Sequence, residues 1–262
     1  MLFLETMAIA LLSSSGGFIY HLFFISLGYG ISISAIGAFL LLTAQNLNTI
    51  IIIIGALYII YGIRLSLFLG LRKCKNEAYK QKMKSEIGDE KKIKILSKIF
   101  IWISVSFLYA CQSSPLTFRT ISTENDLVFP IIGIIITILG LILEAKADKE
   151  KSDAKKINPD RFVDTGLYKI VRCPNYFGEI IFWTGNLIGG ISIYEGIFQW
   201  CIVICGYILI VFVMFSGTRR IEIRQNKNYG KDPEYQKYIK TTPILLPLIP
   251  LYSVEKYTWL KA

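Results

Sequence analysis

One histidine stands in 262 residues, and the five cysteines form no C-x-x-C pair. His21 has no ligand partner at helical spacing, so no zinc or iron–sulfur centre is expected, and no metal of any kind. Cys74, Cys111, Cys173, Cys201 and Cys205 give no disulfide framework; Cys201 and Cys205, four residues apart in an apolar stretch, read as ordinary helix packing. Gly-x-Ser-x-Gly and G-x-x-x-x-G-K-[ST] are both absent. The run "GYGISISAIG" at 28–37 echoes a dinucleotide fingerprint but has the wrong spacing, and it sits in an apolar span rather than between a strand and a helix. A soluble Rossmann site is thereby excluded. The start of the chain has no basic region followed by a small-residue cleavage site, so no cleaved leader is expected.

Apolar length is what the sequence has in abundance. Hydrophobic residues make up 53% of it. Apolar runs fall at 18–42, 49–71, 99–111, 127–143, 177–193 and 197–215, with 1–12 as a short seventh. Several reach or approach the roughly 20 residues that cross a bilayer core. Backbone groups in lipid must be satisfied within the segment, and no alternating barrel pattern is present. The expected fold is all-α: a polytopic membrane bundle of six to seven transmembrane helices, forming one integral membrane domain over 1–262. The tail "TTPILLPLIP" at 241–250 is too short and too rich in proline to span, and is expected at the interface or re-entering toward a cavity.

The formal net charge is +10, which raises nucleic acid as a partner. Its distribution argues otherwise. Most of the 29 Lys and Arg lie in three segments, 72–98, 146–172 and 219–240, each between apolar runs. Short basic loops of this kind face the cytoplasm. Two runs separate each basic segment from the next, so all three fall on one side, and the connectors 43–48, 112–126 and 189–195 fall on the other. The segment 72–98 is expected as a helical or mobile cytosolic loop. No nucleic acid and no obligate protein partner are expected. Membrane lipids are, and some of the basic charge can hold their headgroups or an anionic ligand.

Three polar rows interrupt the apolar pattern. A helix beginning at Pro174 puts Asn175, Glu179 and Asn186 on one face, with Gly178, Gly185 and Gly189 beside them. Small residues there admit another helix or a flat ligand. A carboxylate at membrane depth needs a cavity or a partner; an ion pair that only locks two helices is the plainer reading. Glu144, Asp148 and Lys155 share a face in the same way, or are charges of a helix entering water. Tyr61 and Arg64 are neighbours within an otherwise apolar run. Arg64 needs a partner there, such as Glu144 or Glu179. Tyr61 reads either as an interfacial aromatic or as a hydrogen-bonding group.

The residues Gly166, Leu167, Tyr168, Arg172, Pro174, Asn175, Tyr176, Phe177, Gly178 and Glu179, preceded by Leu143, Glu144, Ala145, Ala147 and Asp148, resemble the membrane steroid 5-alpha-reductase superfamily. Glu222, Tyr229, Gly230, Tyr235, Tyr238, Thr242, Pro243, Leu246 and Pro247 continue the pattern, so the resemblance runs from about 61 to 250. It implies a seven-helix bundle open to the cytosol, with NADPH held in a C-terminal half of about 127–250 and the N-terminal helices at 1–71. By position, Asn175 and Glu179 would contact the nicotinamide end, and Glu144, Asp148 and Lys155 the adenosine-phosphate end. Arg172, Arg219 and Arg220 would lie near phosphate. Tyr61 matches the tyrosine that hydrogen-bonds the substrate carbonyl, with Arg64 beside it.

Two positions depart from that pattern. Cys173 stands where most bacterial relatives have histidine, a residue of the cofactor site in the related membrane methyltransferases and sterol reductases. The steroid enzymes also have a glutamate from an early helix beside the tyrosine. Glu5 is too near the terminus to take that place, and 18–42 contains no carboxylate. The resemblance implies NADPH-dependent reduction of a carbon–carbon double bond conjugated to a carbonyl, in a steroid-like or other lipophilic small molecule. The alternatives are an S-adenosylmethionine-dependent membrane methyltransferase of the isoprenylcysteine or phospholipid type, and a non-catalytic lipid-binding membrane protein.

Overall fold

The computed structural model describes residues 1–75 and 94–260. Most of the basic segment 72–98 lies outside the described residues. The chain is all-helical, with no strand among them. Among the described residues eight α-helices follow in order: α1 Leu2–Ser14, α2 Leu27–Thr43, α3 Thr49–Lys75, α4 Ile95–Ile121, α5 Val128–Ile157, α6 Pro174–Gly189, α7 Gly196–Tyr229 and α8 Pro233–Thr241. Four of them, α3, α4, α5 and α7, are long and apolar enough to cross a membrane. The apolar helices α1, α2 and α6 are shorter, at 13, 17 and 16 residues. On α5, Ile131, Ile135, Ile138 and Ile142 form one exposed apolar stripe. Lipid is the natural cover for such a stripe, which in water would promote association.

Two compact units divide the chain. The N-terminal unit holds Met1–Ile134 and Leu187–Gly206; the C-terminal unit holds Ile135–Asn186 and Tyr207–Ala262.

In the N-terminal unit the expected run at 18–42 is broken. Two 3-10 turns, Ser15–Phe18 and His21–Phe23, precede α2. A side chain at Gly17 would run into the ring of Phe24, which is fully buried. The glycine therefore lets the chain turn where a continuous helix would have carried on. The Phe24 carbonyl accepts from Tyr109 Oη at 2.6 Å, which satisfies a backbone group left over by the break. Trp102 Nε1 donates to the Leu11 carbonyl at 2.8 Å, and Ser14 Oγ lies 3.1 Å from Ser106 Oγ, so α1 is fastened to α4.

Glycines set the α2–α3 crossing. A Cβ on Gly30 would meet the Gly62 carbonyl oxygen at 2.6 Å, and one on Gly62 would meet Ser34 N and Cβ at 2.8 Å. Such an approach maximises dispersion contact between helices in lipid. A Gly62→Val substitution should lower stability by about 1–3 kcal/mol or more through overpacking against backbone that cannot move aside. Thermal melting in detergent checks this; an unchanged midpoint would mean that the helices part at no cost.

In the C-terminal unit, α8 starts where sequence chemistry directs. Asp232 caps it, accepting from Glu234 N at 2.8 Å and from Tyr235 N, and Pro233 fills the first turn. The tail after α8 neither spans nor forms a helix. Ile244 and Leu245 are buried, and Arg172 N and Cys173 N donate to the Pro243 and Ile244 carbonyls at 2.9 and 3.0 Å.

Candidate functional site

Each unit carries its own polar cluster. In the N-terminal unit, Gly30 and Gly62 bring their preceding residues, Tyr29 and Tyr61, together. The two hydroxyl oxygens lie 3.0 Å apart, and the rings meet edge to face at 6.0 Å between centroids. Tyr61 is 0% exposed and Tyr29 is buried. Gln112 Nε2 donates to Tyr29 Oη at 3.3 Å, and the Tyr109 ring stacks on Tyr29 at 5.0 Å. Arg64, one turn beyond Tyr61 on α3, is half-buried.

Gln112 and its neighbours correct the expected connector at 112–126. Helix α4 continues to Ile121, and Gln112, Ser113, Ser114, Thr117, Arg119 and Thr120 are all buried. Their polarity made them look like a loop. Inside the helix their hydroxyls back-bond instead: Ser113 Oγ to the Tyr109 carbonyl at 2.8 Å and Thr117 Oγ1 to Ser113 O at 3.1 Å. Arg119 Nη2 donates to Gly189 O at 2.9 Å.

In the C-terminal unit, α5 and α6 cross at glycine. A Cβ on Gly178 would meet Glu144 N at 2.7 Å, and one on Gly140 would meet the Gly178 carbonyl at 2.7 Å. This contact brings Glu144 to the residue preceding Glu179. Glu144, Asp148 and Glu179 are buried, and Asn175 is half-buried. On the next helix, Gly217 takes the Tyr176 ring, whose hydroxyl a Cβ there would meet at 3.0 Å. The electrostatic neighbours of that hydroxyl include Arg220, Glu179 and Arg224. Glu144 and Glu179, with Arg220 and Arg224, thus belong to one neighbourhood of this unit. Asn186, the last of the α6 row, donates to Phe182 O at 2.9 Å and toward Thr137 Oγ1 at 3.5 Å.

Lys155, Arg219 and Arg172, also expected at the cofactor, hydrogen-bond to protein groups. Lys155 Nζ donates to Pro159 O at 2.8 Å, to Arg161 O, and to Tyr229 Oη at 3.0 Å, closing the end of α5. Arg219 Nε donates to Glu255 O at 3.0 Å. Arg172 is sealed: its Nη2 lies 3.0 Å from Glu222 Oε1, with the two side chains 1% and 2% exposed. The same Nη2 donates to Tyr252 O, and Glu222 Oε2 accepts from Val254 N at 2.8 Å. Cys173 is buried beside this pair, and burial pushes its thiol up, away from the thiolate. Burial likewise raises the Tyr238 hydroxyl well above its ordinary value and moves Tyr235 up to about 12. Both stay protonated donors: Tyr238 to Tyr168 O at 2.7 Å, Tyr235 to Asn226 Oδ1 at 2.7 Å. Among the described residues no group of three or more His, Cys, Asp or Glu could hold a metal ion.

A family profile described as "Protein of unknown function (DUF1295)" matches residues 22–242. The chain belongs to this family. DUF1295 falls in the steroid 5-alpha-reductase-like superfamily. A curated relative, steroid 5-alpha-reductase DET2 of Gossypium hirsutum, is 38% identical over 55 residues, covering 20% of this chain and 21% of that protein. The DUF1295 chain therefore matches about a fifth of that relative's length. No solved structure matches.

Sequence reading of the DUF1295 chain missed Tyr29, Gln112, Glu222 as the partner of Arg172, and Arg224. For Tyr29 a signal was present: the dipeptide Tyr-Gly occurs at 29–30 and again at 61–62, each inside an apolar run. Arg224 follows Arg220 by one helical turn. Gln112 gave no such signal, because its run of polar neighbours is the composition of a loop.

Proposed function

We propose that this chain is an NADPH-dependent membrane oxidoreductase that reduces a carbon–carbon double bond conjugated to a carbonyl in a steroid-like or other lipophilic substrate. The observation that carries the reading is the Tyr29–Tyr61 hydroxyl pair, with Tyr61 fully buried within an apolar helix. A hydroxyl fixed by a second one in a dry site is preorganised. Family membership supports a reductase.

The residues of the C-terminal unit suit a dinucleotide. Glu144, Asp148 and Glu179 place three buried carboxylates in this unit, and a carboxylate is the acceptor that ribose hydroxyl and amide donors need. Asn175 offers both donor and acceptor. Arg220 and Arg224 supply positive charge for phosphate, for which guanidinium is the better-matched group. Arg172, Arg219 and Lys155, tied to protein partners, shape this half and contribute positive potential. In the proposed topology the cofactor side faces the cytoplasm, as the basic segments do.

The cofactor, when bound, supplies a hydride for the β carbon. Negative charge then grows on the carbonyl oxygen, and a proton completes the α carbon. The Tyr61 hydroxyl stabilises the growing charge from a dry site, where a donor is worth more than in water. Arg64, one turn away on α3, orients that hydroxyl.

Cofactor choice tests the proposal. The protein purified in detergent is titrated with NADPH and, in parallel, with S-adenosylmethionine. Saturable NADPH binding is expected, with stabilisation of about 2.7 kcal/mol at 100 times the dissociation constant. Binding of S-adenosylmethionine without NADPH would make the chain a methyltransferase; stabilisation by neither would make it a non-catalytic lipid-binding protein.

A further inference from the structure

We propose that the loop from Pro243 to Leu251 is a membrane-inserted wedge, with its tip of Leu248, Ile249 and Pro250 at the headgroup–acyl boundary of the leaflet nearest Arg219. Its partner is bulk lipid, and the wedge does not depend on the reductase reading.

No residue from Pro243 to Leu251 has a polar side chain. The loop is closed at its neck, where Ile244 N donates to Leu251 O at 2.8 Å, and Leu251 N donates to Ile249 O at 2.7 Å. At the neck Ile244 and Leu245 are buried. Beyond it the apolar side chains are uncovered. Leu248 is 100% exposed, Ile249 is 50% exposed, and Pro250 is exposed as well. A loop re-entering a cavity would bury this tip. Leu248 also has φ 68°, and among the described residues no other non-glycine residue has a positive φ. Glycine would make that turn without strain. A leucine there costs backbone energy and finds no cover within the protein, so its cover lies outside the chain.

Two attachments set the level of the loop against the apolar helices. The first is at its base. Pro243 O and Ile244 O accept from Arg172 N and Cys173 N, immediately before α6 starts at Pro174. The apolar run of α6 starts at 177. The second is the segment that follows. Asn226 Nδ2 donates to Glu255 Oε2 at 2.6 Å, Arg219 Nε donates to Glu255 O at 3.0 Å, and Trp259 stacks on Phe212 with ring centroids 6.2 Å apart. Asn226, Arg219 and Phe212 recur every seven residues, so they share one face of α7. The tail therefore runs along that face, from the polar end of the helix into its apolar run at 197–215. The step from Arg219 to Phe212 is about 10 Å. Trp259, 66% exposed at that level, is the aromatic type that settles at a bilayer boundary. Exposed Lys237 and Lys240 precede the loop and exposed Lys256 follows it, which suits lipid phosphate. Apolar tip, boundary tryptophan and flanking lysines are the parts of an interfacial anchor.

The test uses the full chain in vesicles of phosphatidylcholine and phosphatidylglycerol, with Leu248→Trp and, separately, Ile249→Trp. Both side chains lie outside the core, so either variant can report if the other folds poorly. The emission added over the unsubstituted protein belongs to the tip. It should be blue-shifted, and lipid brominated near the headgroup should quench it about twofold or more, as for a group some 5–10 Å into the boundary. Aqueous iodide should quench it little. Iodide quenching without bromolipid quenching would place the tip in water and overturn the wedge. Protection from both quenchers would place it against protein, a second copy included, and would overturn it too. Stronger quenching by lipid brominated at the chain ends would mean deep re-entry and would overturn the boundary position. None of these outcomes involves NADPH, so the reductase reading stands or falls separately.

Discussion

Replacing Tyr61 by Phe should lower kcat by two to three orders of magnitude, since a preorganised donor at a developing oxyanion contributes about 3–4 kcal/mol to the barrier. NADPH affinity should stay within about twofold, because the change removes no cofactor contact in the proposed scheme and takes nothing from the uniform binding of the ground state. The ring remains. It is fully buried and meets Tyr29 edge to face, and the Gly30–Gly62 crossing beside it does not depend on the hydroxyl. Tyr29 loses the hydrogen bond from Tyr61 but keeps the one from the Gln112 amide. Steady-state kinetics with an enone substrate, set beside a direct NADPH titration, separates the two effects. Full turnover in the Phe variant would remove Tyr61 from the reaction and leave the tyrosine pair as a helix fastener.

The parts legible in the sequence were those written in local spacing. Glu144 and Asp148 were placed on one helix face by their interval alone, and the structure buries both on α5. Gly178 was read as a point of close approach, and it meets the backbone of Glu144. The all-helical fold followed from apolar length and from the need to satisfy backbone groups in lipid. The failures share a cause of the opposite kind. The turn at His21–Phe23 breaks the expected run at 18–42, and Phe24 beside it packs on Gly17 through a contact that hydropathy does not register. The second half of α4 looked like a connector because helix and loop both tolerate Gln, Ser and Thr. Only the partners of those side chains decide between them. Gln112 finds its partner 83 residues away, and no periodicity reports that.

The residues assigned to phosphate show the same limit. A basic side chain next to a glycine- and asparagine-bearing helix start is an anion-site pattern on paper. Arg220 and Arg224 stand near the Tyr176 hydroxyl, and Arg220 is exposed. Arg172 is buried against a carboxylate 50 residues on. Burial and pairing separate one arginine from another, and neither can be read from its neighbours in sequence.

Arg172 therefore carries the second large expected effect, on stability. Converting Arg172 to Met should destabilise the protein by about 3–5 kcal/mol, the cost of leaving the partner carboxylate buried and uncompensated. Glu222→Gln should cost less, since the amide oxygen still accepts from the guanidinium while the charge goes unmatched. The damage should be local first. Arg172 reaches Tyr252 O and Glu222 reaches Val254 N, so the pair pins the segment after α8 to the start of α6 and to α7. That segment lies beyond the family match, which ends at 242. Limited proteolysis should cut the variant after 242 before the rest of the chain, and the melting midpoint in detergent should fall. The double change, Arg172→Met with Glu222→Leu, should recover much of the loss, because apolar groups of similar size carry no desolvation cost. A phosphate-binding role for Arg172 predicts a different pattern: NADPH affinity lost in Arg172→Met and retained in Glu222→Gln, with an unaltered melting midpoint. Recovery of stability in the double variant, with cofactor affinity returning alongside it, would fix Arg172 as the clamp that shapes this half of the protein rather than a ligand to the anion.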